Sequence, residues 1–295
     1  MLKKSMKNFL IVTGGAGFLG SNLIDLLIKK TKFKIISIDN YFSGNKKNHI
    51  KNPRIKYING QTKNISKILK KYTKKIKCIF HFGEFSRINK SFEYLNQLKE
   101  SNIIGTYEVI NFCKKNKIEI IYSATSAAFG NNFQNQNLSP YAFTKNTNLN
   151  LIMNYNIWFD LKYKIVYFYN VYGTNEIENF DMGAVVGIFK KAKKLNIALP
   201  VVKPGTQSRH FTDVKDTIKI VYKAFLSKKN KHFAIRAKKK YSILQIAKFF
   251  KHKYKFVKEQ KGERYSSKLI KSIRGNVVLN YRSNSDLKNY IQELK

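Results

Sequence analysis

The 295-residue sequence predicts an α/β fold, a doubly wound parallel sheet with a smaller C-terminal substrate-binding lobe. Short β-branched runs alternate with helical stretches through the first half of the chain, which implies parallel strand pairing. A glycine-rich turn also stands between the first predicted strand and the first predicted helix. We expect residues 1–175 to form a nucleotide-binding domain and residues 176–295 to form mainly the second lobe.

The predicted strands are short apolar runs bounded by turn residues. In chain order they are "NFLIVTGG", "FKIISID", "RIKYING", "KCIFHFG", "IEIIYSA", "KIVYFYNVYG" and, in the second lobe, "IALPVV".

The predicted helices come from apolar periodicity and from capping residues. Ser139 suits a helix N-cap, and Pro140 suits the first helical position, where its missing N–H costs nothing. The other helices are predicted over 18–30, 91–116, 183–194 and 214–227.

Composition indicates a folded protein with an unusual charge. Hydrophobic residues make up 43% of the chain, and no run is long and apolar enough for a membrane span. Lys and Arg number 57 against 17 Asp and Glu, a formal charge of +40 that would attract nucleic acid, membrane surfaces or phosphorylated small molecules. The excess is spread along the whole chain, so we interpret it as compositional bias rather than a dedicated nucleic-acid surface.

The cysteines, the histidines and the N-terminus exclude other classes. Cys78 and Cys113 stand in apolar contexts and are predicted to be buried thiols, not a disulfide framework. The five histidines show no metal-binding spacing, so no metal site is expected. The basic, apolar start leads directly into the glycine turn, which favours a first strand over a signal peptide. We therefore expect a cytoplasmic protein.

The stretch "VTGGAGFLGSN" predicts a dinucleotide site. Its glycines let the backbone turn tightly and approach a pyrophosphate, which the helix N-terminus then stabilises, as in the Rossmann fold. Asp39 ends the second strand, nineteen residues after Gly20, where a carboxylate can bind the adenosine ribose hydroxyls. Because that carboxylate would repel the extra phosphate of NADP, the expected cofactor is NAD.

The stretch "SPYAFTK" places Tyr141 and Lys145 one turn apart on the same face of the helix that Ser139 begins. Taken alone, this spacing also fits a surface pair in a chain rich in both residues. Its meaning depends on the other motifs.

Those motifs resemble a known family. "TGGAGFLG", "DNYFSG", "HFGEFSR", "SATSAAFG", "PYAFTK", "YFYNVYG" and "RHFTDVKD" occur in the order found in extended short-chain dehydrogenases/reductases of the nucleotide-sugar epimerase/dehydratase group. The likeness runs from about residue 8 to residue 290.

The resemblance implies that Tyr141 and Lys145 are the family's catalytic pair. A free tyrosine has a pKa of about 10, and a nearby ammonium together with an oxidised nicotinamide favours the phenolate. By position, Thr125 matches the hydroxyl residue that orients the sugar hydroxyl being oxidised; in isolation, a threonine bonded only to backbone is the simpler interpretation.

The resemblance also implies binding residues. Asn170 and Arg209 match positions beside the substrate, the arginine on its diphosphate, where a guanidinium fork suits phosphate geometry. The implied cofactor contacts are Gly14, Gly17, Phe18, Leu19, Gly20, Asp39, Asn40, Phe82, Gly83, Asn102, Tyr141 and Lys145.

Three features depart from the family pattern. Gln61 stands where an acidic residue usually faces the adenine, and the segment between Gly130 and Tyr141 is short. A second phosphate-binding cation has no clean match, and Lys261 and Arg264 are the candidates.

The residues after Thr125 favour one reaction. Dehydratases and uronate decarboxylases of the family carry carboxylates there, whereas this chain has Ser126 and Ala127. Elimination needs that additional acid/base pair, and epimerisation needs only the tyrosine and the nicotinamide. We therefore expect an NAD-dependent 4-epimerase of UDP-glucose/UDP-galactose or their N-acetyl forms.

Two alternatives stay open. One is another nucleotide-sugar enzyme of the family, such as a reductase, a heptose-type epimerase or a dehydratase, and the other is a basic RNA-binding protein on this fold.

The resemblance also implies a homodimer, paired through the helices predicted over 91–116 and 140–159.

Overall fold

The computed structural model describes residues 7–129, 137–229, 231–262 and 269–294. Its strands are β1 (Phe9–Thr13), β2 (Lys34–Asp39), β3 (Ile55–Asn59), β4 (Ile76–His81), β5 (Glu119–Thr125), β6 (Tyr163–Phe168), β7 (Val171–Tyr172), β8 (Leu199–Val202), β9 (Ser208–His210), β10 (Thr212–Asp213), β11 (His232–Ala237), β12 (Lys240–Ser242), β13 (Tyr254–Val257), β14 (Ser272–Ile273) and β15 (Asn276–Ser283).

The α-helices are α1 (Phe18–Lys30), α2 (Ile65–Leu69), α3 (Leu95–Leu98), α4 (Thr106–Lys115), α5 (Pro140–Phe159), α6 (Val185–Lys194), α7 (Val214–Leu226), α8 (Ile243–Phe249) and α9 (Leu287–Gln292). A π-helical segment spans Lys99–Gly105, and short 3₁₀ turns span Lys46–Asn48, Thr62–Asn64, Lys70–Lys75, Asn89–Phe92 and Ser126–Phe129.

A nine-stranded sheet organises the described part of the chain, in the order β14-β15-β11-β6-β5-β4-β1-β2-β3. Every pairing in it is parallel except that of β14 with β15. The order runs outward from β1 in both directions, which is the doubly wound arrangement predicted from the sequence.

Helices cover both faces of this sheet because successive residues of a strand point to opposite sides. On β1, Ile11 belongs to the core beneath α2, α4 and α5, whereas Leu10 and Val12 belong to the core beneath α1 and α7. The central strands β1, β2, β4, β5 and β6 are buried on both faces and are correspondingly rich in Ile and Val.

The smaller lobe contains the short pairs β8–β13 and β9–β12 with helices α6, α8 and α9. Its own apolar core includes Phe189, Leu199 and Phe250. The division expected at residue 175 is not a simple cut in the chain, because β11 and β15 return to the large sheet. For β11 to pair in parallel with β6, the chain must cross back from the smaller lobe to the large sheet. The individual strand patterns in the sequence do not indicate this crossing.

The helix predicted over 91–116 is broken into shorter pieces. A 3₁₀ turn precedes α3, the π-helical segment follows, and α4 completes the run. Gly105 lies at the end of the π-helical segment, where a Cβ atom would be 2.1 Å from Thr62 Oγ1. The apolar spacing that predicts a helix does not distinguish these local changes in helical pitch.

The helix begun by Ser139 forms as predicted. The Ser139 side chain accepts a hydrogen bond from the Ala142 N–H at 3.1 Å, and Pro140 occupies the first helical position.

Cys78 and Cys113 are buried free thiols, also as predicted. Within the described ranges, no helix has both the length and the apolar content that crossing a membrane requires.

Candidate active site

The glycine turn between β1 and α1 brings backbone close to backbone. Gly14 has a φ of +70°, and a Cβ atom there would lie 2.7 Å from the Phe82 carbonyl oxygen. A Cβ atom on Gly20 would lie 2.1 Å from the Gly14 carbonyl oxygen. The N-terminus of α1 at Gly17 has no side-chain cap. This turn therefore presents backbone N–H groups at a helix N-terminus, the arrangement that fits a dinucleotide pyrophosphate.

Asp39 anchors the neighbouring turn. Its carboxylate accepts hydrogen bonds from the Ala16 N–H at 2.9 Å and the Tyr41 N–H at 2.8 Å. Burial raises its pKa above the ordinary value, against the opposing effect of these backbone N–H groups. Asn40 follows directly and lines the same cleft. Each Asp39 oxygen keeps a lone pair with which it can accept a ribose hydroxyl.

Tyr141 and Lys145 lie in the first turns of α5, and both side chains are largely buried. The Lys145 ammonium lies over the ring of Tyr122 at 4.4 Å and donates hydrogen bonds to the Ser123 carbonyl and the Glu84 carboxylate. Thr125 ends β5 beside them, and its Oγ1 accepts a hydrogen bond from the Ala127 N–H at 3.1 Å. The Thr125 hydroxyl proton can still be donated to a ligand.

Further lining of the cleft comes from the end of β6 and from the second lobe. Arg209 on β9 is 7% exposed, and Asn170 donates a hydrogen bond to the His210 carbonyl at 3.3 Å. Gln207 is also buried, and its Oε1 has no hydrogen-bond partner among the described residues. A buried acceptor without a partner is unfavourable unless water or a ligand supplies the donor. Gln207 also lines the cleft, so it is a candidate binding residue that the sequence did not indicate.

One cleft joins these regions, with a cavity volume of about 460 Å³. The residues expected at the site that line it are Gly14, Gly17, Phe18, Leu19, Gly20, Asp39, Asn40, Phe82, Gly83, Thr125, Tyr141, Lys145, Asn170 and Arg209. Gln61 and Lys261 also line it, and Arg264 lies outside the described residues.

Asn102 differs from its expectation as a cofactor contact. It is fully buried behind the wall of the cleft, where its Oδ1 accepts the Phe85 N–H at 2.7 Å and its Nδ2 donates to the Phe85 carbonyl at 3.0 Å. Asn102 therefore fixes the loop after β4 and does not reach the cavity itself. Its partner is distant in the chain, so sequence spacing alone could not assign this role.

Three charged residues of the cleft were also missed. The Glu84 carboxylate accepts a hydrogen bond from the Lys145 ammonium, and Arg87 Nε donates a hydrogen bond to the Met182 carbonyl. Burial raises the pKa of Glu176 to about 7. Each stands on a predicted loop of the sequence, and the fold places it in the lining of the cavity.

Comparison with known proteins agrees with this geometry. The profile described as the NAD dependent epimerase/dehydratase family matches residues 10–235. A protein from Methanocaldococcus jannaschii, named as a candidate UDP-glucose 4-epimerase, is 28% identical over 97% of this chain and 96% of its own length. UDP-glucuronic acid decarboxylase 6 of Arabidopsis thaliana is 30% identical over 71% of this chain and 63% of its own length.

The fold is also found among solved structures. UDP-glucose 4-epimerase from Thermotoga maritima, solved with UDP-glucose, superposes with a TM-score of 0.84 at 21% identity, and the match covers 96% of each chain. Because the family profile matches more than half of the sequence, this protein belongs to the NAD dependent epimerase/dehydratase family, and NAD is the cofactor on which that family depends.

Proposed function

We propose that the protein is an NAD-dependent epimerase that interconverts UDP-glucose and UDP-galactose, or their N-acetyl forms, at C4 through a 4-keto intermediate. One observation carries the proposal. Tyr141, Lys145 and Thr125 line the same cavity as the glycine turn at the N-terminus of α1. A proton acceptor and a dinucleotide cradle thus share one cleft.

The chain's own residues supply the proton transfer and the binding. Tyr141 accepts the proton of the sugar 4-hydroxyl and later returns it, and Thr125 donates a hydrogen bond that orients this hydroxyl. Bound NAD supplies the acceptor and then the donor of the C4 hydride. Arg209 holds the diphosphate while the sugar turns over and presents its other face.

The segment after Thr125 supports epimerisation over elimination. Ser126 and Ala127 are buried in a 3₁₀ turn and carry no carboxylate. The comparisons include proteins named as UDP-glucose 4-epimerases and a protein named as a UDP-glucuronic acid decarboxylase, so they support a nucleotide-sugar substrate without selecting the reaction.

One observation favours dehydration as a second candidate function. Glu176 lines the cleft with a pKa of about 7, close to the working range of a general acid or base. Its Oε1 accepts the Gly187 N–H at 3.2 Å. If this carboxyl reached C5 or C6 of a bound sugar, it could transfer the protons that elimination requires.

We also propose a homodimer formed through α4 and α5. These helices carry large apolar side chains that are exposed in the single chain: Ile103 and Tyr107 on the α4 side, and Ile157, Trp158 and Phe159 at the end of α5. A second copy placed on this face would remove them from water, and apolar burial is the main favourable term in association.

The test is incubation of the purified protein with UDP-glucose, UDP-galactose and their N-acetyl forms, with and without added NAD, followed by proton NMR. Interconversion at C4 supports the epimerase. Appearance of a 4-keto-6-deoxy sugar would instead support the dehydratase. If no sugar changes although NAD is bound, the UDP-hexose assignment is wrong, and binding of RNA at rising salt would be measured next.

A further inference from the structure

Glu84 occupies the wall of the cleft with its side chain only 3% exposed, and it accepts four hydrogen bonds. Lys145 Nζ donates to its Oε2. Three donors reach its Oε1: Thr106 Oγ1 at 2.8 Å, Asn148 Nδ2 at 2.9 Å and Tyr122 OH at 3.0 Å. A carboxyl group surrounded by four donors is ionised, since a protonated one would need an acceptor.

A directed chain of hydrogen bonds supports this ionised state. Thr13 Oγ1 accepts the two backbone N–H groups that follow β4, at 3.1 and 3.0 Å, so its own proton points to His81 Nδ1 at 2.8 Å. Burial lowers the pKa of His81 to about 4, so the ring is neutral and carries its proton on Nε2. That N–H donates to Thr106 Oγ1 at 2.9 Å, which leaves the Thr106 proton for Glu84.

The two charged partners are closely matched in burial. Lys145 is 4% exposed and Glu84 is 3% exposed, so water screens neither charge. Burial works to raise the pKa of the Glu84 carboxyl, but the adjacent Lys145 ammonium and the hydrogen bonds outweigh it and hold that pKa below its ordinary value. The pair therefore carries no net charge while both groups stay ionised.

We propose that Glu84 is a positioning residue that holds the Lys145 ammonium and balances its charge beside Tyr141. This inference rests on the proposed role of Tyr141 as the proton acceptor. An unbalanced Lys145 would add a full positive charge near Tyr141, whereas the neutral pair adds none. The positive groups that then act on this phenol are Arg87, which lines the same cleft and interacts electrostatically with Tyr141, and the nicotinamide of the bound cofactor. With Lys145 balanced and Arg87 constant, loading of the cofactor is the step that changes the charge beside the Tyr141 phenol.

The test measures the pH at which the Tyr141 phenolate appears, by ultraviolet difference spectra of each protein against its own Tyr141→Phe counterpart, without cofactor and without sugar. In Glu84→Gln the midpoint moves at least about one pH unit lower, because the ammonium is no longer balanced. In Lys145→Met it moves at least about one unit higher.

The double variant Glu84→Gln, Lys145→Met tests whether the two charges balance each other. It leaves no unpaired buried charge, so the test can be made even if a single variant fails to fold. Its midpoint returns to within about half a unit of wild type if the pair is balanced. A midpoint as high as that of Lys145→Met, or above wild type by about one unit, would show that the ammonium acts alone and would overturn the proposal.

Thr106→Val is the matched control, since it removes one donor to Glu84 and keeps both charges. Its midpoint stays at the wild-type value, and a displacement as large as that of Glu84→Gln would mean that rearrangement, not charge, is responsible. These spectra need no turnover. Shifted midpoints in a protein that converts no sugar would overturn the proposed function alone, and unshifted midpoints in an active epimerase would overturn this inference alone.

Discussion

A Cβ atom on Gly20 would lie 2.1 Å from the carbonyl oxygen of Gly14, inside any allowed contact distance. The first turn of α1 and the end of β1 can therefore meet only because residue 20 has no side chain. By contrast, a Cβ atom on Gly17 would meet only the Gly14 carbonyl oxygen, at 3.2 Å. These two glycines allow packing and ligand binding to be tested separately.

Gly20→Ala is expected to lower the free energy of unfolding by about 1–3 kcal/mol or more, because backbone must move to admit the methyl group. Chemical denaturation measures this loss. Gly17→Ala should cost less than about 1 kcal/mol but weaken NAD binding at least about tenfold, because its methyl group would crowd the pyrophosphate at the helix N-terminus. Equal stability losses in the two variants would contradict the packing argument.

Tyr141→Phe should lower kcat by a factor of about 10² or more while NAD binding and thermal stability persist, because only the proton-accepting hydroxyl is removed. Tyr155→Phe on the same helix is the control. Its hydroxyl donates to Asn111 Oδ1 at 3.0 Å, and Tyr155 is not among the residues that line the cleft. Kinetics of both variants compare the two hydroxyls directly, and full activity in Tyr141→Phe would refute the assigned role.

Glu176 predicts a specific pH dependence of stability. Burial raises its pKa from 4.5 to about 7, so the folded protein binds this proton more tightly than the unfolded chain. The resulting stabilisation is fully present below pH 4.5 and is lost as pH rises through about 7; the change corresponds to about 3 kcal/mol. In Glu176→Gln this loss disappears. Denaturation of both proteins from pH 4 to 8 gives the difference, and parallel curves would show that Glu176 has an ordinary pKa.

Trp158→Glu should convert the proposed dimer into monomers, because it places a charge on the apolar face of α5. Trp158 is 59% exposed, and Leu226, 58% exposed at the end of α7, is matched to it. Leu226→Glu should leave the assembly unchanged. Sedimentation equilibrium reports the mass of each protein, and a wild-type monomer would refute the dimer itself.

Much of the fold could be predicted because it depends on local signals. The cap at Ser139 and the glycines from Gly14 to Gly20 each determine a turn or a helix start within a few residues, and the structure has them where the sequence predicts. The return of β11 and β15 to the large sheet depends on pairing across the chain, and no local pattern records it.

The site divides in the same way. Tyr141 and Lys145 were predicted from their spacing of one helical turn together with the surrounding motifs, and both line the cleft. Glu84 was not found, because its donors come from β5, α4 and α5, and nothing near it in the sequence differs from a solvated loop carboxylate. The formal charge of +40 likewise does not indicate where the site lies, since basic residues occur throughout the chain.

The most direct measurement of the central claim follows deuterium at C4 of UDP-galactose during turnover by the wild-type protein in ordinary water. If hydride leaves C4 and returns to the same carbon through the cofactor, the UDP-glucose formed keeps its deuterium at C4, and Tyr141→Phe forms none. Product carrying a solvent proton at C4, or undiminished turnover by Tyr141→Phe, would contradict the account.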